Sequence, residues 1–228
     1  MRILALGAHP DDLEIYAWGM LAAWAAMGAR LTLAVATDGA RGGQAPPEAM
    51  RAIRRAEAER AAAALGLAPR FLDFPDGALD AARPLVEAVA ALIAETAPDL
   101  VLTHDPNDYH ADHRALAAAV AQAAGFAAPV AHLDAMNGTG FAPTHWIDVT
   151  ATFPAKRAAI RAHDSQDPER FVAAATRLAA HRAGECNGGP EDRAEALRFA
   201  PRFPFADIRG LLPPAPPLRP VRLRALSP

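Results

Sequence analysis

His9, Asp11 and Asp12 near the N-terminus, and His110, Asp112 and His113 in mid-chain, are residue types that can hold a divalent cation and move a proton. His9 and Asp12 stand at i, i+3, as do His110 and His113, so each pair can face one point. A catalytic zinc takes three protein ligands from imidazole and carboxylate and keeps a fourth position open for water. His9, Asp12, His110 and His113 exceed that need by one. The spare group, and Asp11 between the first two candidates, are then free for acid–base work. Taken singly, each pair has an ordinary reading. His-x-x-His on an Ala-rich helix is commonly a solvated face, and Asp-Asp before a helix is commonly an N-cap. Joint placement is what favours chemistry, because each cluster follows a short apolar run, Ile3–Leu6 and Leu100–Leu102.

Those runs read as buried strands within an alternating pattern. Strands are expected at Arg2–Gly7, Leu31–Thr37, Arg70–Phe74 and Asp99–Thr103. Helices are expected at Leu13–Met27, Pro47–Leu65, Ala81–Thr96 and His110–Ala124. Such alternation implies an α/β fold with a Rossmann-like, doubly wound, mostly parallel sheet flanked by helices. With strand order 3-2-1-4, strands one and four meet at the topological switch point, where ligands bind at the carboxyl ends of strands. His9 and His113 would then share one crevice. The C-terminal part is less regular: strands at Val130–Asp134 and His145–Val149, helices at Phe153–His163 and Glu169–His181. A single domain is expected over 1–210, and a Pro-rich C-terminal tail over 211–228 reads as an extended strap.

Composition narrows the partners. The 228 residues carry a formal net charge of −3, which gives no reason to expect nucleic acid or an anionic membrane. The apolar stretch Ile15–Ala29 lies behind Asp11, Asp12 and Glu14, so a buried helix is expected rather than a span or signal peptide. Cys186 is the single cysteine, which excludes an internal disulfide framework and a Cys-rich zinc cluster and makes a reducing cytoplasm the default.

Ala8-His9-Pro10-Asp11-Asp12-Leu13-Glu14 closely resembles the opening signature of the PIG-L/LmbE-like zinc N-deacetylases. His110-Ala111-Asp112-His113 resembles their second motif, with Ala111 in place of the usual proline. Thr37-Asp38-Gly39, Gly42-Gly43, Arg54-x-x-Glu57, Asp76-Gly77, Lys156, His163-x-Ser165-Gln166 and Ala194-Glu195-Ala196 are similar to further family blocks, over roughly residues 1–200.

The resemblance implies that His9, Asp12 and His113 hold Zn²⁺, with Fe²⁺ as the alternative metal. Asp11 is the implied general base, His110 the implied oxyanion stabiliser or proton donor, and Asp112 the residue that orients a histidine. Arg54 and Asp76 match family positions that bind the sugar, and Arg41 is placed to reach a polar substituent. The implied substrate is a small-molecule N-acetylated amino-sugar conjugate, and a homo-oligomer is in keeping with similar proteins.

Rival readings are a metal-dependent hydratase or amidase on the same scaffold, a non-haem iron oxygenase using two His and a carboxylate, and a nucleotide-binding module. The last lacks a Gly-x-Gly-x-x-Gly after strand one. Individual residues have plainer alternatives too. Arg54 suits a surface ion-pair cluster with Arg51, Arg55, Glu57 and Glu59, while His104 suits either a contact to the metal ligands or a loop role. Tyr109 could pack against its loop, His132, His145 and His181 read as structural or solvated, and Cys186 reads as inert.

Overall fold

The computed structural model describes residues 1–138 and 140–221, apart from the side chain of Asn137. Residues 222–228 of the expected tail lie outside the described part.

Seven strands form one sheet in the order β3-β2-β1-β4-β5-β7-β6. They are β1 (Arg2–Gly7), β2 (Arg30–Thr37), β3 (Arg70–Phe74), β4 (Leu100–Thr103), β5 (Val130–Leu133), β6 (His145–Asp148) and β7 (Ala194–Arg198). Strands β1 to β5 pair in parallel, with Ile3 opposite Leu31 on one side and Leu100 on the other. Strand β7 runs antiparallel between β5 and β6. The expected order 3-2-1-4 is therefore present, and β1 and β4 flank the switch point.

Why this sheet is doubly covered is visible in β1 itself. Side chains alternate along a strand, so Ile3 and Ala5 enter one core with Leu13, Trp18, Trp24 and Ile160. Leu4 and Leu6 enter the other, with Leu85, Val89, Leu116 and Val120. A strand buried on both faces must be apolar throughout, which is how Ile3–Leu6 reads. The helices are α1 (Asp12–Tyr16), α2 (Trp18–Ala26), α3 (Pro47–Ala63), α4 (Arg83–Thr96), α5 (Ala111–Ala124), α6 (Phe153–Arg161) and α7 (Pro168–Glu185). Helices α4 and α5 cover the second core. None among the described residues is long and apolar enough to cross a membrane.

Two expectations need correction. The single helix over Leu13–Met27 is broken at Ala17 (φ −136°, ψ −5°) into α1 and α2. The cause lies far along the chain. Glu195 on β7 accepts the N–H groups of Gly19 (3.1 Å) and Met20 (2.7 Å), capping a new helix start. Glu195 is itself paired with Lys156 of α6, all three elements meeting in the interior. A Cβ on Gly19 would sit 2.9 Å from the Glu195 carboxylate, so this position has room for hydrogen alone. The second correction is β7, which the sequence pattern did not suggest as a strand.

From Leu211 on, the Pro-rich segment is tied down as a strap. Leu211 O accepts Trp24 Nε1–H (2.8 Å), and Pro214 O accepts the Asp148 N–H of β6 (2.9 Å).

Candidate active site

The turn after β1 is closed by Asp11 and Asp12 N–H groups on His9 O, and His9 N–H donates to Asp12 Oδ2 at 2.7 Å. The loop after β4 is equally tight: Asp108 N–H meets Asp105 O at 3.0 Å, and His110 N–H meets Asp108 Oδ1 at 2.9 Å. Arg198 Nε, from β7, donates to Asp105 Oδ2 at 2.5 Å and fixes that loop from the antiparallel side of the sheet. His110 then caps α5, its Nδ1 accepting the Asp112 N–H at 3.2 Å.

These turns bring the two clusters into contact. His9 Nδ1 lies 3.3 Å from His113 Nε2 and 3.4 Å from Asp12 Oδ2, and His113 Nε2 lies 3.3 Å from Asp12 Oδ1. Bonds of about 2.0–2.1 Å at tetrahedral angles put neighbouring zinc donors about 3.3 Å apart. The observed spacing fits a divalent cation among His9, Asp12 and His113.

The far ring nitrogens support the same reading. His9 Nε2 faces Asp112 Oδ2 (3.2 Å) and Asp76 Oδ1 (3.4 Å), and His113 Nδ1 faces Asp108 Oδ2 (3.0 Å). A carboxylate on one ring nitrogen holds the proton there and leaves the other lone pair for a metal. Asp112 lies where it could orient His9, and it also accepts the Gly77 and Leu79 N–H groups (2.8 and 3.2 Å), joining β3's loop to α5. Burial alone would lower His9, but Asp12 foremost, then Asp112 and Asp76, hold it up to about 12. His113 is held up to about 9, against burial, by Asp12 and Asp108. The carboxylates make this a spot that calls for positive charge.

Asp108 was missed by the sequence reading, although a carboxylate in the loop between a strand end and a His-x-x-His helix is the signal that would have found it. We expect Asp108→Asn to weaken metal affinity about 10–100-fold while leaving the fold intact; metal titration against a competing chelator measures this. Affinity equal to the parent's would show that His113 needs no such partner.

His104 lies against Asp12 and His113 rather than serving its loop. It is fully buried, stacked on the His113 ring at 3.7 Å, with Nε2 3.0 Å from both Asp12 Oδ2 and Ala8 N. Burial and the neighbouring His113 push its pKa down, so it serves there as a neutral ring. His132 Nδ1 in turn lies 2.8 Å from His104 O.

Arg54 is not in a surface ion-pair cluster. It is 3 % exposed, and Nη2 donates to Asp11 Oδ1 at 2.9 Å. Nη1 donates to Gly39 O (3.2 Å) and lies 3.6 Å from Asp76 Oδ2. The other members of that supposed cluster separate: Arg51 pairs with Asp38, Arg55 with Asp73, and Glu57 faces Ser165. Asp76 accepts the Arg41 N–H at 2.9 Å, and the Arg41 side chain lies over Gly77.

Together these groups line an open pocket of about 320 Å³. Its lining is mixed: Asp11, Arg41, Arg54 and Asp76 bring charge, and Ile15, Tyr16, Met136 and Phe171 bring apolar surface. His110 also lines it, its ring 4.7 Å from those of His9 and His113, and so does the exposed Tyr109. Burial first, then His9 and His113, lower the His110 pKa. Its Nδ1 being an acceptor, the neutral ring carries its proton on Nε2.

Residues 4–124 match the PIG-L family, described as GlcNAc-PI de-N-acetylase, across more than half of the chain. The chain belongs to the PIG-L family. Among its relatives, diacetylchitobiose deacetylase of Thermococcus kodakarensis is 28% identical, over 91% of this chain and 88% of that one. A 1D-myo-inositol 2-acetamido-2-deoxy-α-D-glucopyranoside deacetylase of Rhodococcus erythropolis is 36% identical, but over 56% of this chain and 55% of that one, so the match spans about half of that relative. The fold is shared more widely. The 4-carboxy-2-hydroxymuconate hydratase GalB of Pseudomonas putida superposes with a TM-score of 0.78 at 24% identity, over 89% of this chain and 97% of that chain. A PIG-L fold alone therefore does not fix the reaction; the site must.

Proposed function

We propose that this PIG-L protein is a metal-dependent deacetylase that hydrolyses the acetamide of an N-acetylated amino-sugar conjugate. The observation that carries the reading is the three-donor cage of His9, Asp12 and His113 with the Asp11 carboxylate beside it, held by Arg54. Zn²⁺ fits the donor set, and Fe²⁺ fits it as well. When bound, such a cation polarises the amide carbonyl and lowers the pKa of a coordinated water to about 7.

The chain's own groups supply the proton handling. Arg54 occupies Asp11 Oδ1, which leaves Oδ2 to accept the proton of the attacking water and return it to the departing amine nitrogen. His110 is proposed to donate its Nε2–H to the oxyanion of the tetrahedral intermediate. Its lowered pKa keeps it a neutral donor at pH 7.

The mixed lining is proposed to orient the substrate. The amine must leave beside Asp11, so the sugar is placed toward the charged lining, with Arg41, Asp76 and Arg54 available to its hydroxyls. The apolar part of the lining, Ile15, Tyr16, Met136 and Phe171, is proposed to take the acyl methyl.

The test is primary-amine release by metal-loaded protein from a panel of N-acetylglucosaminyl conjugates. We expect release that stops on chelation and returns when the metal is restored. The shared fold with a hydratase makes water addition to an unsaturated acid the rival outcome. Hydration without any amine release, by protein shown to hold metal, would replace the deacetylase reading.

A further inference from the structure

Helix α3 presents two buried charged residues one turn apart, and they point at different parts of the molecule. Arg54 reaches Asp11 at the pocket floor; Glu57, 3 % exposed, turns to the C-terminal half. There its carboxylate accepts both the N–H of Ser165 (2.8 Å, Oε1) and its hydroxyl (2.7 Å, Oε2). Ser165 and Gln166 lie in a short 3₁₀ turn, Asp164–Gln166, and Gln166 Nε2 donates to Ser165 Oγ (2.8 Å) and to Gly42 O (2.7 Å).

Gly42 is where this chain of bonds returns to the site. Its backbone packs so closely on Arg54 that a Cβ would lie 2.2 Å from Nη1. Gly39, from the same loop and at φ +67°, supplies the carbonyl that accepts Arg54 Nη1, and its own Cβ would lie 3.2 Å from that atom. The guanidinium is therefore seated in a cradle of glycine backbone. The loop between β2 and α3 is partly buried at Gly42 and exposed at Gly43. Gln166 is the side chain that pins its Gly42 carbonyl from outside.

We infer that Gln166, anchored through Ser165 to Glu57, is a positioning residue for the proton-transfer group: it fixes the Gly39–Gly43 loop on Arg54 and thereby fixes Arg54 on Asp11. This rests on the deacetylase reading for its catalytic consequence, though the geometric consequence stands alone. Gln166 does not line the pocket, so it acts on turnover without touching substrate. Small displacements of a catalytic group are costly, about 10²-fold for a shift near 1 Å.

The deciding experiment compares Gln166→Glu, which keeps shape but loses the donor, with the parent protein in two backgrounds, native and Arg54→Ala. The expected result is a tenfold to hundredfold fall in kcat (about one to two decades) with KM and metal stoichiometry unchanged, and little further loss when Arg54 is already absent. The same fold loss in both backgrounds, a change in KM alone, or an unaltered kcat would overturn the relay. A crystal structure of Gln166→Glu adds a readout that needs no turnover: the Arg54–Asp11 contact should lengthen from 2.9 Å, and an unmoved contact counts against the inference. Gln166→Met serves in the same comparison if the glutamate variant does not fold. Absence of amine release from the parent protein would defeat the deacetylase reading, while the crystallographic arm would still decide whether Gln166 places Arg54.

Discussion

Asp11→Asn is expected to remove about 10²–10⁴ of kcat while the protein keeps its fold and its metal. Asparagine has nearly the shape of aspartate, and Asp11 is 7 % exposed in a fixed turn, so the substitution should not disturb His9 or Asp12 on either side. An amide oxygen can still accept from Arg54, but it has no second carboxylate oxygen to take a proton. The loss should therefore fall on kcat, with KM near the parent value and metal stoichiometry unchanged. Measuring kcat and metal content on one preparation separates a chemical defect from a binding one. Turnover near the parent's with metal present would assign the base to another group.

The second large effect concerns stability. Glu195→Ala leaves the Lys156 ammonium buried and alone, and it removes the acceptor for two N–H groups at the start of α2. Breaking a buried ion pair from one side costs about 3–5 kcal/mol, a shift of roughly 10 °C for a domain of this size. The double variant Lys156→Met with Glu195→Gln removes the charge along with its partner and should recover much of the loss, because paired neutralisation of a buried bridge is often mild. Thermal and urea unfolding of the single and double variants will measure both. A double variant as unstable as Glu195→Ala would mean that the stranded charge is not the source of the loss.

How far the chain declares itself varies by element. Strands β1 and β4 were readable because each is buried on both faces and so must be apolar throughout, whereas β3, at the sheet edge and only partly buried, was readable from its place in the alternation. The His/Asp cluster was readable because His-Pro-Asp-Asp and His-Ala-Asp-His each follow a buried strand. Strand β7 was not, since Ala194-Glu195-Ala196-Leu197-Arg198 has modest strand preference, and its charged residue is turned inward to cap a helix far back in the chain. The break at Ala17 was hidden for the same reason: its cause is Glu195, not a local Gly or Pro signal. The family resemblance singled out Arg54 as a sugar-binding position, while its helix alone allowed a surface ion pair; only the folded loop shows it seated on glycine backbone and joined to Asp11. Asp108 was overlooked because its partner, His113, is one helical turn beyond the motif's own first histidine.

The Pro-rich strap has a consequence for how this protein behaves in a crowded solution. Strand β6 ends the sheet, and an unpaired sheet edge is a template on which another chain can add a strand and seed aggregation. Here the edge N–H of Asp148 is already taken by Pro214 O. Four of the five residues Pro213–Pro217 lack an N–H of their own, so they cannot pass the ladder outward to a stranger. At the opposite edge, Asp73 in β3 sits at φ +56°, outside the conformation a further strand would need. The sheet is thus closed to growth at one margin by proline and at the other by a distorted strand.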